Sequence, residues 1–203
     1  MGAGMLRLTG ISLAMLALLS VLLGGIYPLV MTGADQLFFP GHADGSLVKL
    51  NGKVVGSALV GQGFTSPSYF HSRPSATVPP YEPLPTTFAN LGPNTVALRK
   101  AIDANVRAAL KLERPYNPGL QARDLPVDMI TTSSSGIDPE ISKANADLQA
   151  RRVAAVRGVP LSRVMEFVKR ETDGRDIGFL GEPGVNVLLL NLDLDKAFGP
   201  PRR

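Results

Sequence analysis

The stretch LTGISLAMLALLSVLLGGIYPLVMTGA, residues 8–34, decides the fold. It contains no Asp, Glu, Lys, Arg or His. A helix needs about 20 mostly apolar residues to cross a hydrocarbon layer roughly 30 Å thick. Residues 8–34 meet that length even with Gly24-Gly25 and Pro28 shortening the regular helix. A cleavable signal has a shorter apolar region, about 7–15 residues, and a small-residue cleavage site. Thr32-Gly33-Ala34 matches such a site poorly. A buried core helix would need neighbours on all its faces, and no second run of this kind follows. The expected layout is a short tail at 1–7, one transmembrane helix at 8–34 and a tether at 35–46.

Cations flanking a span tend to stay on the cytoplasmic side. Arg7 precedes the span, whereas Asp35 and Asp44 follow it, and Lys49 is the first cation beyond. The expected orientation is N-terminus in the cytoplasm and the following domain outside it. Tyr27 suits the aromatic belt at the interface, and Phe38-Phe39 suits the membrane surface. Gly24 and Gly25 are candidate partner contacts, because small residues let two membrane helices approach closely.

Without its first 34 residues the 203-residue chain still holds one domain of ordinary size. Cysteine is absent, which excludes disulfides, thiol nucleophiles and thiolate metal sites. The two His, 42 and 71, are too few for a His-rich site, and no metal is expected on this chain. The net charge of +4 is scattered and accompanies no nucleic-acid motif, so no nucleic-acid partner is expected.

The soluble domain spans 47–198, with a C-terminal tail at 199–203. SLVKLNGKVVGSALVGQ, residues 46–62, reads as a hairpin around Asn51-Gly52, since both turn positions of a tight hairpin need positive φ. FTSPSYFHSRPSAT, 64–77, is irregular and rich in hydrogen-bonding groups, and residues 77–93 form a proline-rich loop. Asn94 caps a helix from Thr95 to Glu113. Val127–Thr131 reads as a short strand. Asp138-Pro139-Glu140 starts a helix that Gly158 stops, and Val159-Pro160 starts another that ends at Gly174. VNVLLLNLDLD, 185–195, alternates with period two and reads as a strand. The expected class is α+β: one N-terminal transmembrane helix followed by a single mixed α/β soluble domain.

Ser133–Ser135 with His71 and an Asp have the residue types of a hydrolase triad. No G-x-S-x-G elbow is present, and serines before a capped helix are ordinary turn chemistry. No G-x-x-x-x-G-K-[ST] phosphate cradle and no Asp-Lys-Thr-Gly-Thr phosphorylation motif occur, so the chain is not expected to hydrolyse ATP alone. On the helix after Asp138, about 100° per residue aligns Ile141, Ala144, Leu148 and Ala155 as an apolar stripe. Asn145, Gln149 and Arg152 run along its flank. They read either as a solvated edge or as a polar patch for a partner or an anionic ligand.

Six phrases together carry a family resemblance: GGIYPLVMT (24–32), GSALVGQGF (56–64), SYFHSRPSA (68–76), SGIDPEIS (135–142), LQARRVAAVRG (148–158) and GEPGVNVLLLNLDLD (181–195). They resemble the C chain of the potassium-transporting ATPase, the KdpC family, from the span to about Asp195. Three features depart from the family. Residues 77–89 lack the Gly-Gly-Ser run that commonly follows RPSA, Gly184 stands where Arg is frequent, and Ile137 replaces a usual Leu. The resemblance implies a non-catalytic subunit of a high-affinity, ATP-driven potassium import complex in the bacterial inner membrane. Its partners would be a P-type ATPase subunit, a channel-like potassium-binding subunit and membrane lipid. It implies a catalytic chaperone that raises the ATP affinity of the ATPase subunit, with ATP shared with that subunit. By its place in the LQARRVA phrase Gln149, with Arg152 near it, is the implied nucleotide contact, and Gln62 is the alternative. With the domain outside, topology alone makes YFHSRPSA, with Tyr69, Phe70, His71 and Arg73, an expected interface or structural segment. An extracytoplasmic domain cannot reach cytoplasmic ATP, so the orientation favours covering or shaping the outer ion entrance of the channel-like subunit. The alternative is a membrane-tethered periplasmic binding protein or hydrolase acting alone.

Overall fold

The computed structural model describes residues 2–82 and 90–201; residues 83–89 of the expected proline-rich loop lie outside them. The chain divides into two units, 1–47 and 48–203.

The first unit is built on one continuous helix, Gly2–Phe38, whose most apolar 18-residue window has a mean hydropathy of 2.2. It comprises α1 (Gly2–Val21), a π-helical turn (Leu22–Ile26) and α2 (Tyr27–Phe38). Pro28 has no N–H to give the carbonyl four residues back, so the ladder must change at Gly24. The chain widens there by one residue, and the Tyr27 N–H reaches the Leu22 carbonyl. At about 1.5 Å per residue the helix exceeds the bilayer core. It is long and apolar enough to cross a membrane. The helix therefore extends past both ends of the expected 8–34 span. The expected tether holds a further short helix, α3 (Pro40–Ala43).

The second unit starts with the expected hairpin, β1 (Leu47–Leu50) and β2 (Lys53–Ser57). Asn51 and Gly52 take φ of 51° and 79°, as its two-residue turn requires. In α4 (Val96–Glu113) the cap is Thr95 rather than Asn94, its Oγ1 accepting from the Leu98 N–H at 3.3 Å. Residues 127–130 form a helical turn, α5 (Val127–Ile130), not a strand: Pro126 sets the entry, and Val127 points outward at 71% exposure.

Asp138 does not start a helix. Its Oδ1 takes the Glu140 N–H in a local turn, and β3 (Glu140–Ser142) follows. Ser142 caps α6 (Lys143–Arg157), and Gly158 ends it in the left-handed region at φ 68°. α7 (Leu161–Arg170) stops short of Gly174 because the chain turns into β4 (Thr172–Asp173). The 185–195 run was expected to be a strand, yet only β5 (Gly184–Asn186) is extended. Asn186 caps the Leu189 N–H at 3.1 Å, and α8 (Val187–Phe198) begins. The leucine alternation is a coincidence of a helix buried on a broad face: Val187, Leu190, Asn191 and Leu194 follow helical spacing inward.

β5 is the centre of an antiparallel sheet ordered β3-β5-β4, with Ile141 opposite Val185 and Thr172 also opposite Val185. Ile141 and Val185 join Ala146, Ala150, Val153, Val164, Phe167, Val168, Leu190, Leu194 and Phe70 in one core. Phe70 enters it from the irregular 64–77 segment, so that segment is a structural layer of the domain.

Gly61, just before that segment, shows how closely the chain is threaded there. Its N–H donates to the Ile137 carbonyl at 2.7 Å. A Cβ on Gly61 would lie 2.3 Å from the Asp138 carbonyl oxygen, a backbone atom. A Cβ on Gly184 meets only the movable end of the Glu140 side chain. Gly61→Ala is expected to cost about 1–3 kcal/mol through overpacking and Gly184→Ala much less, read from thermal unfolding of the full-length chain in detergent micelles.

Candidate functional site

α6 turns inward the face that composition would place in water. Asn145, Gln149 and Arg152 are 1%, 2% and 0% exposed, while Ala144 and Ala155 are exposed and Leu148 is half-buried. The expected apolar stripe is therefore not the buried face. The physical reason lies in residues 66–71. They run beside α6 and α8 without joining a sheet, and buried peptide groups must find partners somewhere.

They find them on side chains. The Phe70 N–H donates to Asn191 Oδ1 at 2.8 Å, and Asn191 Nδ2 returns to the Phe70 carbonyl at 2.9 Å. Gln149 clamps His71 the same way, with Oε1 accepting the His71 N–H at 2.8 Å and Nε2 donating to its carbonyl at 3.0 Å. Arg152 Nη1 donates to the Tyr69 carbonyl at 2.8 Å and to the Pro67 carbonyl. Arg157 Nε donates to the Ser68 carbonyl at 2.7 Å, and the His71 ring Nε2 to the Ser66 carbonyl at 2.9 Å. Six consecutive carbonyls, 66–71, thus accept from side chains.

The charges under the segment are paired. Arg152 Nε meets Glu113 Oε1 at 2.8 Å, with both side chains essentially fully buried. Burial pushes the Glu113 carboxyl up, against the pull of Arg152. Arg157 Nη2 meets Asp195 Oδ1 at 2.8 Å and stacks 5.0 Å over the Tyr69 ring. The Tyr69 hydroxyl donates to Asp195 Oδ2 at 2.8 Å, and burial plus that carboxylate push the phenol up to about 12. Burial lowers the His71 imidazole, and nearby Arg152 adds to it. The hydrogen bond to the Ser66 carbonyl acts against both, and in that bond the ring Nε2 is the donor, since a carbonyl only accepts. At the far end, Arg73 Nη1 pairs with Asp138 Oδ2 at 3.0 Å, and the Tyr81 hydroxyl donates to the Arg73 carbonyl at 2.8 Å.

The implied nucleotide contacts have little left to offer. Gln149 has two N–H donors and two acceptor positions. The donors go to His71 and Asn145 Oδ1; the acceptors take the His71 N–H and Arg152 Nη2. Arg152 is engaged on all three nitrogens. Gln149 does line a cavity of about 190 Å³ with Phe64, His71, Tyr81 and Glu113. Gln62 is engaged elsewhere, its Nε2 donating to the Val55 carbonyl at 3.2 Å. Among the expected interface residues, Phe70 is 0% exposed and presents no surface, because it fills the core. Tyr69, His71 and Arg73 are half-buried and internally bonded. Gly24 and Gly25 sit in the π turn with open space about them.

The triad types do not assemble. Ser133 Oγ and Ser135 Oγ bond each other and the Gly136 and Ile137 N–H groups, while the His71 ring serves Ser66. Sequence reading missed Glu113, Arg157, Asn191 and Asp195. It also missed Asp128, whose carboxylate takes the Ser142 N–H and hydroxyl and Asn145 Nδ2. A usable signal existed: Asn191 and Asp195 are four apart and share a face once 187–198 is read as a helix.

A family model described as K+-transporting ATPase, c chain, matches residues 9–196. The potassium-transporting ATPase KdpC subunit of Myxococcus xanthus is 51% identical over 183 residues, 89% of this chain and 83% of that one. The subunit of the same name from Koribacter versatilis is 46% identical over 184 residues, covering 91% and 92% of the two chains. That from Sorangium cellulosum is 50% identical over 187 residues, covering 92% and 96%.

Removing Arg152 would strand the buried Glu113 carboxylate and take a donor from the part-buried carbonyls of Pro67 and Tyr69. Arg152→Ala is expected to lower stability by about 3–5 kcal/mol. Adding Glu113→Leu should recover part of that loss, and not all of it, because Pro67 and Tyr69 still lack donors. Denaturant unfolding of the single and double variants checks this.

Proposed function

The chain belongs to the KdpC family, the c chain of the K+-transporting ATPase, and is therefore a component of a potassium transport complex; from that premise we propose a non-catalytic accessory subunit that supports assembly. One span holds it in the bacterial inner membrane, N-terminus in the cytoplasm and soluble domain outside. It joins a P-type ATPase subunit and a channel-like potassium-binding subunit, and it acts as a catalytic chaperone that raises the ATP affinity of the ATPase subunit.

The observation that carries this reading is the saturation of Gln149 and the engagement of Arg152 inside the fold. A residue whose hydrogen-bonding groups are all spent on its own chain holds shape; it does not grip a phosphate. The chain's effect on ATP affinity then passes through protein–protein contact, with ATP bound by the ATPase subunit. That route also suits a domain outside the cytoplasm, which covers or shapes the ion entrance of the channel-like subunit. The charge balance around the span, Arg7 before it and Asp35 and Asp44 after it, supports the orientation.

The test uses the whole complex, purified with this chain, without it, and with Gln149→Ala. Omitting the chain is expected to raise the KM for ATP. Gln149→Ala should lower the chain's thermal stability and its yield in the complex. Complexes that do assemble with it should keep the ATP KM of the unaltered complex. A several-fold rise in KM in those assembled complexes would contradict the proposal and place Gln149 at the nucleotide.

A further inference from the structure

Residues 174–183, between β4 and β5, are built unlike the rest of the surface. The Asp176 N–H donates to the Leu180 carbonyl at 2.8 Å, and the Leu180 N–H returns to the Asp176 carbonyl at 2.9 Å, closing a tight loop. Arg175 Nη2 braces it from outside with two 2.8 Å bonds to the carboxylate of Glu182. Inside this frame Ile177 takes φ 53°, a left-handed conformation that a β-branched side chain rarely adopts. The result is that Ile177, Phe179 and Leu180 project at 82%, 68% and 48% exposure. Three large apolar side chains on a closed, strained loop tip contribute nothing to the domain's core.

We propose that this tip is the plug by which the domain docks into an apolar recess, rimmed by Lys or Arg, on another subunit of the transport complex. The proposal rests on the accessory-subunit reading and assigns its contact surface. Two observations select the occupant. First, the tip's geometry is fixed by its own hydrogen bonds, so a matching pocket gains apolar contact at little ordering cost. Second, the segment carrying the tip is acidic: Asp173, Asp176 and Glu182 stand against one cation, Arg175, already bound to Glu182. The Glu140 side chain adds to it, lying over Gly184, which pairs with Asp173. An anionic lipid surface repels such a segment and offers no rigid recess, and residues 173–183 hold no Lys, Trp or Tyr to anchor there. Two copies meeting tip to tip would bring the same acids together. A basic rim complements the segment.

The experiment places the photocrosslinker p-benzoylphenylalanine at position 179 of the full chain, expressed with its complex, and at exposed position 163 on α7 as a control. A second arm measures retention of the chain on the purified complex for Phe179→Asp and for Ile177→Gly with Phe179→Ser. Glycine suits the positive φ at 177 and Phe179 is exposed, so both variants should keep the thermal unfolding midpoint of the unaltered chain. The expected result is a crosslink from 179, and not from 163, to another subunit, with at least tenfold weaker retention of both variants. The proposal is overturned by a crosslink to a second copy, by a lipid adduct or none while the complex stays intact, or by unchanged retention of the variants. If the unaltered chain fails to co-purify with any subunit, the accessory-subunit reading falls and takes the docking site with it. If it co-purifies and the tip variants do too, only the docking site falls.

Discussion

Six consecutive carbonyls with no strand beside them set the main constraint on the water-facing unit. Residues 66–71 lie against α6 and α8, with Ser68 and Phe70 buried and Ser66, Tyr69 and His71 half-buried, yet they never enter a ladder. The side chains of α6 and α8 replace the missing strand: Gln149 and Asn191 act as two-way amide clamps, and Arg152 and Arg157 supply donors for three carbonyls. A hydrogen bond of this kind contributes about 1 kcal/mol net, but a buried peptide group left unpaired costs about 1–3 kcal/mol. The clamp therefore works chiefly by specifying one arrangement. Any register other than the native one leaves several groups unpaired at once.

That arrangement explains why so much of the domain's polarity is internal. Arg152 cannot be inside without Glu113, and Glu113 sits at the end of α4, so the clamp also fixes where α4 lies on α6. Asp195 plays the same part for Arg157 and Tyr69 from α8. Asp128 holds the start of α6 from α5. α4, α5, α6 and α8 thus send charged or amide groups into the clamp: Glu113, Asp128, four side chains of α6, and Asn191 with Asp195. α7 packs through Val164, Phe167 and Val168, with Met165 against the same core, and Arg170 ties it to Asp193 of α8. A domain stiffened in this way suits a subunit that acts by shape.

The long apolar N-terminal helix, the Asn51-Gly52 hairpin, the Gly158 stop and the mixed class were legible because each depends on a local rule: hydropathy, positive φ or a helix terminator. The elements misread were those in which tertiary context overrode the local pattern. VNVLLLNLDLD alternates like a strand but is broadly buried as a helix once Asn186 caps it. Asp138-Pro139 looks like a helix start, yet Asp138 is turned toward Arg73 and the cap passes to Ser142. The candidate site was half legible. Asn145, Gln149 and Arg152 stood out as a stripe at helical spacing, and the stripe exists. Its direction was not legible, because nothing local says that an irregular segment 78 residues away in sequence needs its peptide groups bonded.

The claim that the 66–71 segment is locked by side-chain clamps is tested most directly by native-state hydrogen exchange at the Phe70 and His71 amides. Both should exchange only with global unfolding, at the same free energy as the buried middle of α6, although neither belongs to a helix or strand. Exchange of these two amides as fast as that of an open loop, with α6 still protected, would contradict it.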